Sequence, residues 1–220
     1  MIYLGINVSH GASAALMMDG KIIMAFQEER FNKIKNFVGY PKKSIDECIK
    51  FIDQNNLEID KAAFSTINNP TFPFKYPLDN YLDIDEWLSY YLDDFYIKNS
   101  KITKIKKIIK NKKKSKKIEQ YLNYNKIKEK DYFSNYSVFR NLQKSFLEKQ
   151  AKGLIKKILF VDHHTCHAYY SAFAPNIKDN KTAIITLDSE GDGLNQTFWI
   201  FDKKKNSLKK INESSECDLA

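Results

Sequence analysis

Cysteine is scarce in this chain. Cys48, Cys166 and Cys217 stand far apart in 220 residues and never form a Cys-x-x-Cys pair. An odd number at such spacing excludes a disulfide framework and a cysteine zinc site, and it predicts reduced thiols in a cytoplasmic setting. Long apolar runs are missing too, and none approaches the roughly 18 residues that a membrane-spanning helix needs. The opening MIYLGINVSHGASAALMMDGK has no basic leader before its apolar stretch, so it does not read as a signal peptide. What is present is material for a core. With 43% hydrophobic and 14% aromatic residues, a disordered or collagen-like chain is excluded, and there is room for one ordinary domain or two small ones.

The net charge of +9 resembles a nucleic-acid signal until it is located. Residues 101–117, KITKIKKIIKNKKKSKK, hold ten lysines and no acid, so the remainder of the chain is close to neutral at −1. A basic binding face draws on several elements and interleaves Arg and aromatics; this is one lysine run. Its isoleucines at 102, 105, 108 and 109 keep helical spacing and predict an amphipathic helix with one packed stripe and one solvated face.

Elsewhere the periodicity is clearer. Residues 2–8, 12–18 and 21–27 read as a three-stranded meander with Asp19-Gly20 at a tight turn. A helix is predicted from near Pro41, on the spacing of Ile45, Cys48, Ile49 and Ile52, and a short strand over 61–67. Pro70, Pro73 and Pro77 then break the pattern. Helical stretches at 82–97, 101–117 and 132–150 read as an insertion spanning about 70–152. A buried strand is predicted at 157–162, followed by a helix over HHTCHAYYSAFA. Residues 182–187 form another predicted buried strand, DSEGDG a glycine-containing turn, and 195–202 and SLKKINES two more strands. Two such meanders predict a duplicated α/β fold: a first subdomain over 1–180 and the start of a second, truncated one over 181–220.

The strongest chemical signal is His163-His164-Thr165-Cys166-His167, which holds three of the four histidines. On a helix, His163 and His167 share a face and can converge on one ion; His164 with His167 is a weaker alternative pairing. A structural reading also stands, in which His163 or His164 only caps the helix. Asp188, at the end of a strand and before Gly191 and Gly193, would complete a two-His, one-carboxylate set suited to ferrous or manganous ion. Alone, it reads first as a turn aspartate bonded to its own loop amides. His10 sits among small residues in SHGASAAL that leave space for something bound, though alone it reads first as an ordinary turn histidine, and Glu28-Glu29-Arg30 is either a solvated charge cluster or a site edge.

Taken together, three blocks resemble the O-carbamoyltransferase family, which modifies nodulation signals and antibiotics. LGINVSHGASAALMMDGKIIMAFQEERFNKIKN is similar to its opening, VDHHTCHAYYSAFAP to its His-His-x-x-His-Ala segment, and IITLDSEGDG to its strand ending in Asp-Gly-x-Gly-Glu. The resemblance implies an actin-like, ribonuclease H-like duplicated fold. It also implies that ATP and carbamoyl phosphate yield a carbamoyl-adenylate in a second domain, from which the group passes to an acceptor hydroxyl. Carried over by position, the metal ligands fall on His163, His167 and Asp188, with Fe2+ favoured and Mn2+ or Mg2+ as alternatives. Phosphate contacts fall on Ser189 and Gly191, and the catalytic, acceptor-side histidine on His10. Gly11, Gln27 and Ser189 depart from the family pattern, which leaves the acceptor open. The expected partners are a small hydroxyl acceptor and the remaining half of the protein as a separate chain, with no membrane. The competing readings are a non-catalytic split-partner module of the same fold and, ranked lower, a nucleic-acid-binding protein acting through Lys101–Lys117.

Overall fold

A computed structural model of the chain describes residues 1–8, 10–67, 136–173 and 177–215. The expected helices at 82–97 and 101–117, and with them the nucleic-acid reading, lie outside the described residues, as does Cys217. The described residues fall into two compact units, one holding 1–63 and 136–158, the other 64–67, 159–173 and 177–215. Among the described residues no helix is long and apolar enough to cross a membrane.

The first unit begins with the predicted meander. Strands β1 (Ile2–Asn7), β2 (Ser13–Met18) and β3 (Lys21–Gln27) pair antiparallel in order. Asp19 and Gly20 both take positive φ, 50° and 79°, as a two-residue type I′ hairpin requires. A short helix α1 (Glu29–Asn32) leads to α2 (Lys42–Gln54), which packs on β2 and buries Ile45, Cys48 and Ile52. These face outwards from the helix at the spacing read from the sequence, and they meet a sheet whose buried positions alternate: Leu4 and Ile6, Ala14 and Leu16. Strand β4 (Lys61–Phe64) follows, then helix α3 (Tyr136–Ala151) and strand β5 (Ile158–Phe160); Phe64 and residues 159–160 of these strands are counted with the second unit. The sheet order is β3-β2-β1-β4-β5, with a parallel bridge between Ile59 and Ile155 leading into the last two strands. The architecture is mixed α/β. Gln150 of α3 ties that helix to the start of α2, accepting from the Tyr40 hydroxyl and donating to Lys42 O and Asp46 Oδ1.

Glu28 settles the open reading of the acidic cluster. It is buried, and its carboxylate accepts from Lys43 N, Ser44 N and Ser44 Oγ at 2.8–3.0 Å. Those amides are unpaired in any first helical turn, and Pro41, at the N-cap, offers no side-chain cap of its own. Glu28 therefore supplies the cap of α2 from a distance. Glu29 binds Asn36 N, and Arg30 is exposed.

The second unit is a three-stranded antiparallel sheet, β6 (Lys181–Gly191), β7 (Leu194–Asp202) and β8 (Ser207–Ser214), with helix α4 (His163–Phe173) on one face. Ala168 and Ala172 of α4 pack on Ile184, Trp199 and Phe201. Small residues on the helix let it approach a sheet face built from alternate positions. Two expectations change here. Strand 182–187 is buried on one face only, since Ile185 and Leu187 are 56% and 74% exposed; β5 likewise is half-buried. And DSEGDG is not all turn. β6 runs on to Gly191, and only Asp192-Gly193, at φ 55° and 85°, turn the chain. The register slips between Leu187 and Gly191, so the extra residues form a bulge, a device that re-aims side chains.

Candidate metal centre

The geometry follows from two periods meeting. Residues 184, 186 and 188 alternate onto the face of β6 that α4 covers. Working back along α4, Ala168 and Ala172 meet Ile184, His164 meets Thr186, and His163 meets Asp188. His167 lies one turn beyond His163 on the same helical face.

The structure thus brings His163, His167 and Asp188 together, with one ligand atom of each within 4.8 Å of the others. His163 Nε2 is 2.7 Å from Asp188 Oδ2 and 3.0 Å from His167 Nε2; His167 Nε2 is 3.8 Å from Asp188 Oδ2. Ligand atoms about 2.0–2.2 Å from a first-row ion stand about 3 Å apart when adjacent in its coordination sphere. The separations of 2.7 and 3.0 Å lie near that spacing, and the third, 3.8 Å, is wider. Proton counting agrees. If His163 Nε2 carries hydrogen it serves Asp188 but has no lone pair for His167, and if it lacks hydrogen its lone pair faces the carboxylate. A cation at that point would give all three atoms a partner at once. Burial and the neighbouring His163 ring push His167 below the ordinary histidine range, with Asp188 pulling partly back, which favours the neutral ring.

His164 is not in this set, which removes the alternative pairing with His167. It is fully buried, with Nδ1 2.6 Å from Thr186 Oγ1 and Nε2 3.0 Å from Leu194 O. Thr186 Oγ1 lies 2.5 Å from Thr197 Oγ1, which accepts from Trp199 Nε1 at 2.6 Å. With Nε2–H donating to the Leu194 carbonyl, Thr186 donates to Nδ1 and Thr197 to Thr186, and every member of the chain has a partner. The sequence reading passed over this network; its signal was the inward register of Thr186 and Thr197 on adjacent strands.

Gly191 has a use that spacing did not suggest. A Cβ there would stand 2.3 Å from His163 Cδ2, so glycine leaves room for the imidazole. Asp192 was missed as well. Its Oδ2 accepts from His163 N at 2.7 Å and Ile67 N at 3.0 Å, and its Oδ1 from Thr66 Oγ1 at 2.6 Å. Asp162 caps the same turn through Thr165 N at 2.9 Å and the Thr165 hydroxyl. Ser189 lies on the β6 bulge beside Asp188. His10 belongs to the other unit, where its backbone bridges Val38 and its carbonyl accepts from Asn7 Nδ2. Gly11, where the resembled family has Asp, sits at φ +63°, a conformation that Gly and Asp both tolerate.

Comparisons with known proteins agree with the blocks quoted above. The sequence model of the family described as "Carbamoyltransferase N-terminus" matches residues 2–215. An uncharacterised protein of Synechocystis, sll1178, is 27% identical over 197 residues, covering 89% of this chain and 26% of that protein. The nodulation protein NolNO of Sinorhizobium fredii is 36% identical over 55 residues, 25% of this chain and 8% of that protein. The chain spans about a quarter or less of the length of these curated relatives.

Proposed function

Because this chain belongs to the carbamoyltransferase N-terminus family, we propose that it supplies the metal-holding part of an enzyme that passes a carbamoyl group to an acceptor hydroxyl. The observation that carries this is the convergence of His163, His167 and Asp188. His163 and His167 hold the ion through Nε2 and Asp188 through its carboxylate, with Fe2+ favoured over Mn2+ and Mg2+ on this donor set. When bound, the ion neutralises phosphate charge and eases departure of the leaving group. His167, held below the ordinary histidine range, would meet the ion as a neutral ring, so little affinity is lost to proton competition at neutral pH. Ser189 and Gly191, on the bulge beside Asp188, are the phosphate-side residues, and His10 is the acceptor-side base that takes the hydroxyl proton. ATP and carbamoyl phosphate are the donor substrates, and the carbamoyl-adenylate is formed in another part of a larger protein. The two antiparallel meanders, β1–β3 and β6–β8, support the actin-like duplication.

The test is metal binding by the 220-residue chain. Anaerobic titration with Fe2+, and with Mn2+ in parallel, should give one ion per chain. His167→Ala should weaken it by more than about 100-fold, beyond the 10–100-fold typical of an outer partner. No binding, or binding that ignores His167→Ala, would overturn the proposal.

A further inference from the structure

We infer that Asp192 is a positioning residue for the metal centre: it fixes the first residue of α4 against β6, so that His163 meets Asp188 before any ion arrives. The inference rests on the metal reading of His163, His167 and Asp188. Its own ground is different. The segment from Asp188 to Asp192 surrounds His163 on three sides: Asp188 Oδ2 faces Nε2 at 2.7 Å, Gly191 leaves the space under the ring, and Asp192 Oδ2 accepts from the backbone N–H at 2.7 Å. One short stretch of strand therefore sets the ring's tip, its flank and its backbone.

Helix capping alone does not require this arrangement. Asp162 already caps the first turn from within the local chain, through Thr165 N and Thr165 Oγ1. Asp192 adds a carboxylate from a remote hairpin, aimed at the single N–H that belongs to the ligand. It does so from φ 55° in the turn, a conformation in which Asp is one of few tolerated side chains. Thr66 Oγ1 donates to its Oδ1, and Ile67 N to Oδ2, the oxygen that also accepts from His163 N, so the carboxylate is anchored outside α4 as well. Fixed ligands lose less freedom on binding, and outer partners that orient a ligand typically contribute 10–100-fold in metal affinity.

The test uses the full chain and Co2+, whose visible absorption reports ligand geometry. Four proteins are compared: wild type, Asp192→Asn, Gly191→Ala and Thr66→Val. Asp192→Asn is expected to lower Co2+ affinity at least about tenfold and to change the absorption band. Thr66→Val removes one of Asp192's partners but no bond to His163; it should lower the melting temperature and leave affinity within about threefold. A purely structural role would make affinity in both variants track stability alone. Gly191→Ala keeps Asp192 and crowds the ring, so it should abolish or distort Co2+ binding with circular dichroism unchanged; it decides the matter if Asp192→Asn does not fold. Wild-type affinity and band in folded Asp192→Asn, or in Gly191→Ala if the former is unfolded, would overturn the inference with the metal reading intact. Failure of the wild type to bind would overturn the metal reading and the inference with it.

Discussion

Two helices in this chain start against a carboxylate that arrives from a distant strand or turn, one in each compact unit. In the first unit Glu28, just after β3, accepts from Lys43 N and Ser44 N of α2. In the second, Asp192, at the β6–β7 turn, accepts from His163 N of α4. The physics is shared: orphan amides at a helix start and a positive end of the peptide dipoles favour an anion there. The consequences differ because of what the capped residue carries. Ser44 is buried and returns its hydroxyl to Glu28, so that contact ends in packing. His163 turns its ring out to Asp188 and His167, so the same device ends in a donor set. Capping by itself says nothing about function. The residue on the capped amide decides it.

Breaking the first member of the pair should have the largest effect on stability. Glu28→Ala leaves three hydrogen-bond donors without their acceptor, one of them a buried hydroxyl. The cost is on the order of 3 kcal/mol, read as a lower melting temperature in a thermal scan. Metal affinity measured well below that temperature should stay at the wild-type value, since Glu28 lies in the unit without the donor set. A matching loss of affinity would mean that the two carboxylates do not divide the labour as described.

The contrast also explains what was legible in the sequence. The meanders were legible because alternation and Asp-Gly turns are local signals; Asp19-Gly20 and Asp192-Gly193 both adopt the positive φ pair that such turns require. The histidine pair was legible because helical spacing alone puts residues 163 and 167 on one face. Three things were not. The bulge hid the true turn, because 188–190 look like loop residues while the strand carries them to Gly191. The burial of 182–187 was overread, because an apolar run does not tell whether a second layer covers its other face, and here Ile185 and Leu187 are exposed. Glu28 and Asp192 were invisible as caps because each acts across 15 to 29 residues of sequence, and only the fold closes that distance.

The cysteines sharpen the comparison, one lying in each of the two helices. Burial, then the Glu47 charge, pushes the Cys48 thiol of α2 up to about 12; burial, then Asp162 and Asp192, pushes the Cys166 thiol of α4 up to about 11. Thiolate is the reacting form, so both should be slow beside an ordinary cysteine. Cys48 is fully buried and Cys166 only partly so, which predicts that Cys166 is alkylated faster than Cys48 in the native chain. Peptide mass spectrometry after timed iodoacetamide treatment measures the order. Cys48 reacting first would mean that α2 opens more readily than α4, reversing the view of α2 as the firmly capped helix.

The smallest expected effect is the acid response of the second unit. His167 sits below the ordinary histidine range because burial and the His163 ring disfavour its charge, against the pull of Asp188. A base held down in the folded state binds its proton more readily once unfolded, so stability rises with pH. Its contribution in the metal-free chain is full above the unfolded value of about 6.5 and is lost as pH falls from there through the lower folded value. The ring is half exposed, which keeps that loss small. Proton competition with a bound ion follows the same sign. An ordinary histidine ligand would cost about tenfold in affinity between pH 7.5 and 5.5, and the share due to His167 should be less than that. Following the His167 ring protons by NMR in the metal-free chain, against a His167→Gln variant for assignment, gives its midpoint directly. A midpoint at or above 6.5 would place the attraction of Asp188 ahead of burial, and the donor set would then hold a proton where it is argued to wait for a cation.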